Sequence, residues 1–406
     1  MNEPVKILRI ITRLNIGGPA VHAAILSTRL DAERFRTCLV IGTPDADEGD
    51  LRDLVDERQA RIIALPRLRR AISPWSDALA FLALVRLVWR ERPDLIHTHM
   101  AKAGALGRAA GFLYNTLGGG RRPGRRAALI HTFHGHVLDG YFSPQTSRFF
   151  TTIERWLAKR TDRLIAVSQA IRDELLRKGI GRAEQWQVIP LGLDLAGLAQ
   201  LAFPSRTPEV GIGLVGRLVP IKNPGLFLEA LHRVIRRPPA DRTVRGVIVG
   251  DGPLRQDLER QAKALGLEAV VRFTGWRQDL RSVYEGLKVA CVTSWNEGTP
   301  VALIEAMAAG RAVVATDVGG VRDLLEDQDG RSPIPPGTFR RAARGLVVPP
   351  GDPAGLSAAL TAITGDPELR EVLGRSARAY VVEHFSAARL CRDVAALYET
   401  FLRRGG

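Results

Sequence analysis

Residues 291–320 of the 406-residue chain read CVTSWNEGTPVALIEAMAAGRAVVATDVGG. The apolar run that ends at Thr293 predicts a buried strand. Thr299 is a candidate N-cap, Pro300 suits the first helical position, and Gly310 is expected just after the last helical residue. The stretch therefore predicts a strand whose loop leads into a helix N-terminus.

Two carboxylates in this stretch, Glu297 before the helix and Glu305 inside it, can line one ligand site. Backbone N–H groups at a helix start attract anions, and the helix dipole adds to that attraction. The expected ligand is a negatively charged group, such as a phosphate. On these residues alone, a generic strand–loop–helix unit with surface glutamates remains an alternative.

Composition limits the class of protein. With 45% hydrophobic and 25% charged residues the chain is globular, and its length suits two domains. Three scattered cysteines are too few for a disulfide framework, so a reducing cytoplasm is expected, and the N-terminal residues look like a first strand, not a signal peptide. The net charge of +15 favours phosphorylated substrates or anionic lipid, although solvated surface arginine is the alternative. The sequence shows no nucleic-acid motif, so no nucleic-acid partner is expected.

Short apolar runs separated by helix-length intervals indicate parallel sheets with crossover helices. They form two series, at 5–12, 37–42, 61–65, 94–98, 128–133 and 163–168, and then at 210–216, 244–250, 270–275, 289–293, 312–316 and 345–348. We therefore predict two Rossmann-like domains, 1–195 and 205–385, joined within 190–208, with ligands bound in a cleft between them. A C-terminal helix at about 386–406 is expected to pack back onto the first domain, and 331–344 is interpreted as a surface insertion.

Two glycines and two cations follow strands in positions suited to phosphate. Gly17 and Gly18 follow the first strand and open a helix, so the backbone can approach a ligand closely. Arg217 and Lys222 leave the first strand of the second series and can converge on anionic oxygens. The G-x-G-x-x-G at 211–216 lies within a strand, so a dinucleotide site is not expected.

Other patterns have competing interpretations. The histidines of HTH at 97–99 and HTFHGH at 131–136 suggest a metal, but no cysteine or carboxylate stands at ligand spacing, so no metal site is expected. The acidic pairs at 45–47 and 327–329 are interpreted as solvated loops. The apolar segment 72–92 is too interrupted by charge to span a bilayer. It is predicted to be a buried crossover helix, with an interfacial helix helped by 67–70 and the arginines at 121–126 as the alternative.

The pattern S-x-x-E-G-x-P-x-x-x-x-E-A-M-A-x-G at 294–310, followed by VVATDVGG, resembles the donor-site signature of retaining glycosyltransferases of family 4. The stretches GLVGRLVPIKNPG, VGDGPL, FHG, HTHMAKAG and GLVVPPGDP also match, so the resemblance covers nearly the whole chain. It implies the GT-B fold, in which two Rossmann-like domains with parallel sheets face each other across an interdomain cleft.

The resemblance implies roles for individual residues. Glu297 and His134 would contact the donor sugar as catalytic residues, Arg217 and Lys222 would neutralise the diphosphate, and Glu305 would hold the ribose. The remaining expected donor-binding residues are Gly17, Gly18, Arg277, Thr299, Pro300 and Val301. His99 and Lys102 are candidates for the acceptor side. No metal and no cofactor are expected, since the nucleotide sugar is a co-substrate.

The implied activity is that of bacterial envelope or exopolysaccharide glycosyltransferases. The sugar of a nucleoside diphosphate donor, expected to be a UDP-sugar, would pass with retention to a hydroxyl of a lipid-linked or cell-envelope glycan. The enzyme would be cytoplasmic and peripheral on the inner face of the plasma membrane, at an anionic surface. The alternatives are a non-transferring sugar-nucleotide enzyme of the same shape, such as an epimerase, and a basic nucleic-acid-binding module.

Overall fold

The structure is a computed structural model that describes residues 3–15, 17–44, 51–52, 55, 59–119, 126–135, 144–239, 242–326 and 332–403. The chain divides into two compact units, Met1–Leu193 with Ala387–Gly406, and Asp194–Ser386. The acidic pairs at 45–47 and 327–329, His136, and the arginines at 121, 122 and 125 lie outside the described residues.

The first unit contains a seven-stranded parallel sheet in the order β3-β2-β1-β4-β5-β6-β7. Its strands are β1 Val5–Ile11, β2 Phe35–Ile41, β3 Arg61–Ala64, β4 Leu95–His99, β5 Ala128–Phe133, β6 Arg163–Ala166 and β7 Trp186–Val188. Its helices are α1 Gly18–Thr28, α2 Pro74–Glu91, α3 Ala101–Thr116, α4 Pro144–Ala158 and α5 Gln169–Arg177, and, from the end of the chain, Ala387–Arg403.

The second unit has a sheet of the same kind, in the order β10-β9-β8-β11-β12-β14-β13, in which only the β13–β14 pair is antiparallel. The strands are β8 Glu209–Val215, β9 Thr243–Val249, β10 Val271–Gly275, β11 Val289–Val292, β12 Ala312–Thr316, β13 Arg340–Arg341 and β14 Leu346–Val348. The helices are α6 Ala196–Ala199, α7 Pro224–Arg236, α8 Arg255–Ala264, α9 Leu280–Glu285, α10 Val301–Ala308, α11 Val321–Leu325, α12 Pro353–Gly365 and α13 Pro367–His384. The helix Ala387–Arg403 is α14.

Burial explains why most of these strands are rich in apolar residues. Every residue of β4, β5, β11 and β12 is buried, as expected for parallel strands with helices on both faces. The helix α14 belongs to the core of the first unit, where Leu390, Val394 and Leu397 join a cluster with Ile7 and Leu26. One core cluster of the second unit lies between its sheet and helices that include α7 and α12.

Each predicted strand is present, with ends shifted by at most two residues. No strand was predicted at β7. The interpretation of 331–344 as a surface insertion is wrong for the last residues of that segment. There Arg340 pairs with Val347 and Arg341 with Leu346, so β13 forms the edge of the sheet. A two-residue edge strand has no periodicity that a sequence pattern could show.

The prediction that 72–92 is a buried crossover helix is wrong for its outer face. The helix α2 buries one side, through Ala80, Leu84 and Val88, whereas Trp75 and Leu82 are 77% and 48% exposed. An apolar residue is buried only where a neighbouring element covers it, and a single sequence does not show that cover. Among the described residues, no helix has the length and hydropathy that crossing a bilayer requires.

Strand order locates the candidate site of each unit. In an open parallel sheet, ligands bind at the carboxyl ends of strands where the order reverses. The reversal lies between β1 and β4 in the first unit and between β8 and β11 in the second. The residues that follow these four strands are therefore the candidates for the site of each unit.

Candidate functional site

In the second unit, the loops after β8 and β11 are tied together. The short 3₁₀ turn Pro220–Lys222 follows β8. The Thr293 hydroxyl donates to the Lys222 carbonyl at 2.9 Å, and the Trp295 N–H donates to the Ile221 carbonyl at the same distance. These bonds hold the cation-bearing turn against the loop that carries the first of the two predicted carboxylates, Glu297.

Glu297 is held by a cation and a hydroxyl. Its Oε1 accepts from the Lys222 ammonium at 2.5 Å and from the Ser294 hydroxyl at 2.6 Å. The Glu297 side chain is 8% exposed and that of Lys222 is 29% exposed. Lys222 has three N–H donors, so this ion pair leaves donors for a second anion.

The helix after this loop begins later than predicted. Val301 is the first residue of α10 and Pro300 is its N-cap, with ψ near 105°, so Thr299 is not the cap and Pro300 is not helical. Thr299 lies one residue too early to reach the first-turn amides, and its buried Oγ1 has no hydrogen-bond partner in the part of the chain that the structure describes. Among the described residues no side chain caps α10, so the amides of Val301 and Ala302 and the Thr299 hydroxyl remain able to bind a ligand. The predicted helix end is confirmed, since Ala309 is the C-cap and Gly310 has φ +70°.

Glu305 lies in the second turn of α10 beside a buried tyrosine. The Tyr284 hydroxyl donates to Glu305 Oε2 at 2.9 Å. Burial raises the pKa of Glu305 to about 7, and the Tyr284 hydrogen bond opposes this rise. The carboxyl therefore changes its charge near neutral pH, and a ligand that donates hydrogen bonds to it would favour the ionised form.

The other predicted cations of this unit lie outside this network. Arg217 follows β8 and is half-buried, and the described part of the chain provides its guanidinium with no ion pair. Arg277 is exposed, and its charge contributes to lowering the pKa of Asp279, although a hydrogen bond from the Ser282 backbone contributes most. The structure thus brings Lys222 together with Glu297, and it shows no hydrogen bond that joins Arg277 to that pair.

Gly319 and Gly320 pack closely against the loop that carries Glu297. The Gly320 N–H donates to the Glu297 carbonyl at 3.1 Å. A Cβ at Gly320 would lie 1.8 Å from the Gly298 carbonyl oxygen, and one at Gly319 would lie 2.0 Å from that of Glu297. Side chains are therefore excluded here by close backbone approach.

Replacing Gly320 with alanine is expected to displace this loop. Because a shift of about 1 Å at a reacting group can cost on the order of 10²-fold in rate, turnover of a substrate at this site should fall by about 10- to 100-fold. Gly197→Ala is the matched control, since a Cβ there meets nothing within 4 Å. Steady-state kinetics and thermal melting of both variants provide the measurement. Equal turnover by the two variants would show that the loop tolerates the displacement.

In the first unit, α1 begins at Gly18 with Gly17 as its N-cap, so the predicted helix start after β1 is confirmed.

The first unit also contains a cluster of histidines around a buried arginine. The Nδ1 of His99 lies 3.0 Å from the Nε2 of His134. Arg9 and His97 extend the cluster, because the Arg9 NH1 group lies 3.1 Å from His97 Nδ1 and 3.3 Å from His99 Nε2.

The two predicted acceptor-side residues have separate partners. The Lys102 ammonium pairs with Asp77 of α2 at 2.6 Å and also donates to the Ala71 carbonyl, whereas His99 contacts Arg9 and His134. Only 13% of the Lys102 side chain is exposed. Lys102 therefore fixes the segment that precedes α2.

By distance alone, three histidines of this unit could hold a metal ion. One nitrogen each of His22, His99 and His134 lies within 4.8 Å of the others. His22 was not predicted from the sequence, and within the described residues its buried Nδ1 has no hydrogen-bond partner. Burial chiefly lowers the pKa of His22, so its ring is neutral. The neighbouring Arg9, also missed, argues against a cation here, because both would be positive.

The missed residues had different signals in the sequence. Arg9 was visible as a charge inside the apolar run ILRII at 7–11. Ser294 stood inside the quoted motif, whereas Tyr284 and His22 had no signal beyond helical position. The partners of Tyr284 and His22 lie on other strands and helices, which a single sequence does not pair with them.

The chain is similar to glycosyltransferases over most of its length. The family model described as Glycosyl transferase 4-like domain matches residues 17–192, and that described as Glycosyl transferases group 1 matches 209–366. The UDP-Gal:alpha-D-GlcNAc-diphosphoundecaprenol alpha-1,3-galactosyltransferase of Escherichia coli is 29% identical over 70% of this chain and 72% of its own. The putative glycosyltransferase EpsD of Bacillus subtilis is 24% identical over 86% of each chain.

Among solved structures, Anabaena Alr3699/HepE in complex with UDP superposes with a TM-score of 0.76 at 22% identity, over 98% of this chain and 100% of that one. Two Rossmann-like units and this superposition define a protein of the GT-B fold. The chain belongs to glycosyltransferase family 4.

Proposed function

We propose that the chain transfers a sugar from a UDP-sugar to a hydroxyl of a lipid-linked or cell-envelope glycan, with retention at the anomeric carbon and without a metal. The observation that carries this proposal is the Glu297 carboxylate held by Lys222 and Ser294 beside an uncapped helix start. Support comes from the E. coli relative, named for a UDP-Gal donor and a diphosphoundecaprenol-linked acceptor, and from the UDP in the Anabaena structure.

The donor diphosphate would lie at the N-terminus of α10. The free donors of Lys222, the Arg217 guanidinium and the backbone amides of Val301 and Ala302 would hold its oxygens, and the Thr299 hydroxyl would donate to it as well. As the bond between the sugar and the diphosphate breaks, negative charge grows on the diphosphate. Cations and amides already in place stabilise this charge more in the transition state than in the ground state. These protein groups provide the charge stabilisation for which other enzymes use a metal.

The two carboxylates of this unit would have different tasks. Glu305 would accept hydrogen bonds from the ribose hydroxyls. Glu297 would contact the donor sugar, where its negative charge stabilises the positive charge that develops on the ring. Pro300 would shape the turn between them, and Arg277 would contact the base.

In the first unit, the Gly17 and Gly18 backbone would contact donor phosphates and His134 would contact the donor sugar. His99 and Lys102 would belong to the acceptor side. His99 would act through its contact with His134, and Lys102 would act by holding the segment that precedes α2. The donor sugar is held by groups that orient it for attack by the acceptor hydroxyl.

A panel of nucleotide sugars, each offered with undecaprenyl-diphosphate-linked GlcNAc, tests the proposal. We expect transfer from a UDP-sugar that EDTA does not abolish, and proton NMR of the fresh product should show the anomeric configuration of the donor. Epimerised or hydrolysed donor without any transfer would contradict the proposal. So would tight binding of duplex DNA without turnover.

The pKa of Glu305 predicts how donor binding depends on pH. Since its pKa is about 7 in the unliganded protein, against an ordinary 4.5, ionisation lowers the stability of the fold as pH rises from about 4.5 to 7. Ribose hydroxyls favour the carboxylate, so donor binding should release a proton below pH 7. The affinity for UDP-glucose should then rise with pH, by at most about tenfold per unit, and level off above pH 7.

Calorimetry of UDP-glucose binding between pH 5 and 8 measures this slope. In Glu305→Gln the slope should disappear, because the amide does not ionise. An equal slope in both proteins would assign the proton to another group.

We further propose that the first unit binds an anionic membrane surface at the cytoplasmic side of the plasma membrane. Ile72 and Trp75 are 61% and 77% exposed, and exposed arginines at 67, 69 and 70 precede them. Aromatic and basic side chains in one short segment are typical of proteins that lie on anionic lipid. A lipid-linked acceptor would be presented at such a surface.

Co-sedimentation with vesicles that contain phosphatidylglycerol tests this surface. The double variant Ile72→Ser, Trp75→Ser should lose most of its lipid binding, whereas Val372→Ser, an exposed apolar residue on α13, should bind like the parent protein. Binding that is unchanged in the double variant would exclude this segment.

A further inference from the structure

A fully buried arginine lies among uncharged groups in the first unit. Arg9 is 0% exposed, and within the described residues no carboxylate contacts it. Its NH2 group donates to the Leu26 carbonyl at 3.2 Å and to the Tyr398 hydroxyl at 3.3 Å, while NH1 faces His97 and His99. A buried cation without a counter-ion is costly, so a function is expected to offset the cost.

Arginine can only donate hydrogen bonds, and this fixes where the histidine protons are. The His99 Nε2 faces Arg9 NH1 at 3.3 Å and must accept, so the single proton of the neutral ring is on Nδ1. That Nδ1 lies 3.0 Å from His134 Nε2 and donates to it. The proton of His134 is therefore on its own Nδ1.

Both rings are neutral in this arrangement. Burial is the chief cause that lowers the pKa of His99, with His97, His134 and Arg9 adding to it, and burial lowers the pKa of His134 to about 3. A neutral imidazole has one N–H and one acceptor nitrogen. The Arg9 guanidinium, which can only donate, therefore fixes the proton position in both rings along this chain of hydrogen bonds.

A metal ion on the three histidines would conflict with this arrangement. If His99 bound the metal through Nδ1, its proton would move to Nε2 and face the Arg9 N–H, placing two donors together. If it bound through Nε2, the metal would lie against a guanidinium. Histidines that bind metals normally donate their second N–H to a carboxylate or a carbonyl. The hydrogen-bond chain, not a metal, therefore accounts for this cluster.

We propose that Arg9 is a positioning residue that acts through His99 to hold His134 with its proton on Nδ1, so that this N–H is the group offered to the substrate. His134 is half-buried, and the described residues give its Nδ1 no hydrogen-bond partner. The inference rests on the proposed contact between His134 and the donor sugar. There His134 acts as a neutral donor to a sugar hydroxyl and not as a base.

Nitrogen NMR of protein labelled at its eight histidines tests the proton positions directly. Single replacements, His99→Gln and His134→Gln, assign the signals. Free neutral histidine prefers the proton on Nε2, so the expected Nδ1–H form of both residues is a distinctive signature. A wild-type spectrum with Nε2–H at either residue overturns the proposal, whether or not the protein turns over a nucleotide sugar.

Kinetics of Arg9 variants test the consequence. Arg9→Met removes the obligate donor at nearly constant length, so His99 should shift toward Nε2–H and kcat should fall by about tenfold or more while KM for the donor stays within about twofold. Arg9→Lys, which keeps a donor, should restore part of kcat. Tyr398→Phe is the matched control, because it removes another Arg9 contact and leaves the His99 and His134 protons in place.

The proposal is overturned if Arg9→Met melts normally, keeps the wild-type proton positions and retains its kcat. It is also overturned if the wild-type protein binds Co²⁺ stoichiometrically and His22→Ala abolishes that binding.

Discussion

Glu297→Gln is expected to cause the largest loss of activity, with kcat lower by about 10²- to 10³-fold, the range seen when one preorganised electrostatic group is removed. The amide can still accept from Lys222 and Ser294, so the loop and the fold should persist. What disappears is the negative charge beside the donor sugar. Transfer assays with the preferred UDP-sugar, and melting curves of the same samples, provide the measurement.

Glu268→Gln is the control for this variant, because Glu268 is exposed and belongs to the same unit. It should behave like the parent protein. A Glu297→Gln enzyme with kcat within about twofold of the parent would remove Glu297 from the reaction, since a twofold change is only about 0.4 kcal/mol of barrier.

Lys222→Met should cause the second-largest loss. The variant removes a cation from the expected diphosphate site and also leaves the largely buried Glu297 without its ion-pair partner. We expect kcat/KM to fall by about 10²- to 10³-fold and the affinity for UDP to weaken. Lys263→Met, at an exposed position of α8, is the control.

A double variant separates the two effects of Lys222. If Lys222 acts partly by holding Glu297, the losses caused by Lys222→Met and Glu297→Gln should not add, because contacting residues in one network couple. Full additivity would show that the 2.5 Å contact has no functional consequence. Retention of wild-type UDP affinity in Lys222→Met would contradict the placement of the diphosphate.

Much of the fold could be predicted from the sequence, because buried parallel strands are apolar runs with helix-length spacing. The two strand series, the helix after Gly17 and the helix end at Gly310 are examples. Three predictions failed for physical reasons. The N-cap at Thr299 was wrong because Pro300 stays extended, the outer face of α2 is uncovered, and β13 is too short to have a pattern.

The candidate site was predictable only in part. The Glu297 loop and Lys222 stand in recognisable motifs, and the structure brings them together. Arg9 and His97, by contrast, are 88 residues apart and meet only because β1 and β4 are neighbours in the sheet. The proton positions in that cluster follow from distances between atoms. The roles assigned to individual residues remain predictions.

Under the proposed function, the second unit holds the donor diphosphate where β8 and β11 end. A crystal structure of the protein with bound UDP would locate the diphosphate. We predict diphosphate oxygens within hydrogen-bond distance of the Lys222 ammonium and of the first amides of α10, with the ribose hydroxyls on Glu305. UDP bound elsewhere, with the Lys222–Glu297 pair untouched by phosphate, would contradict the account.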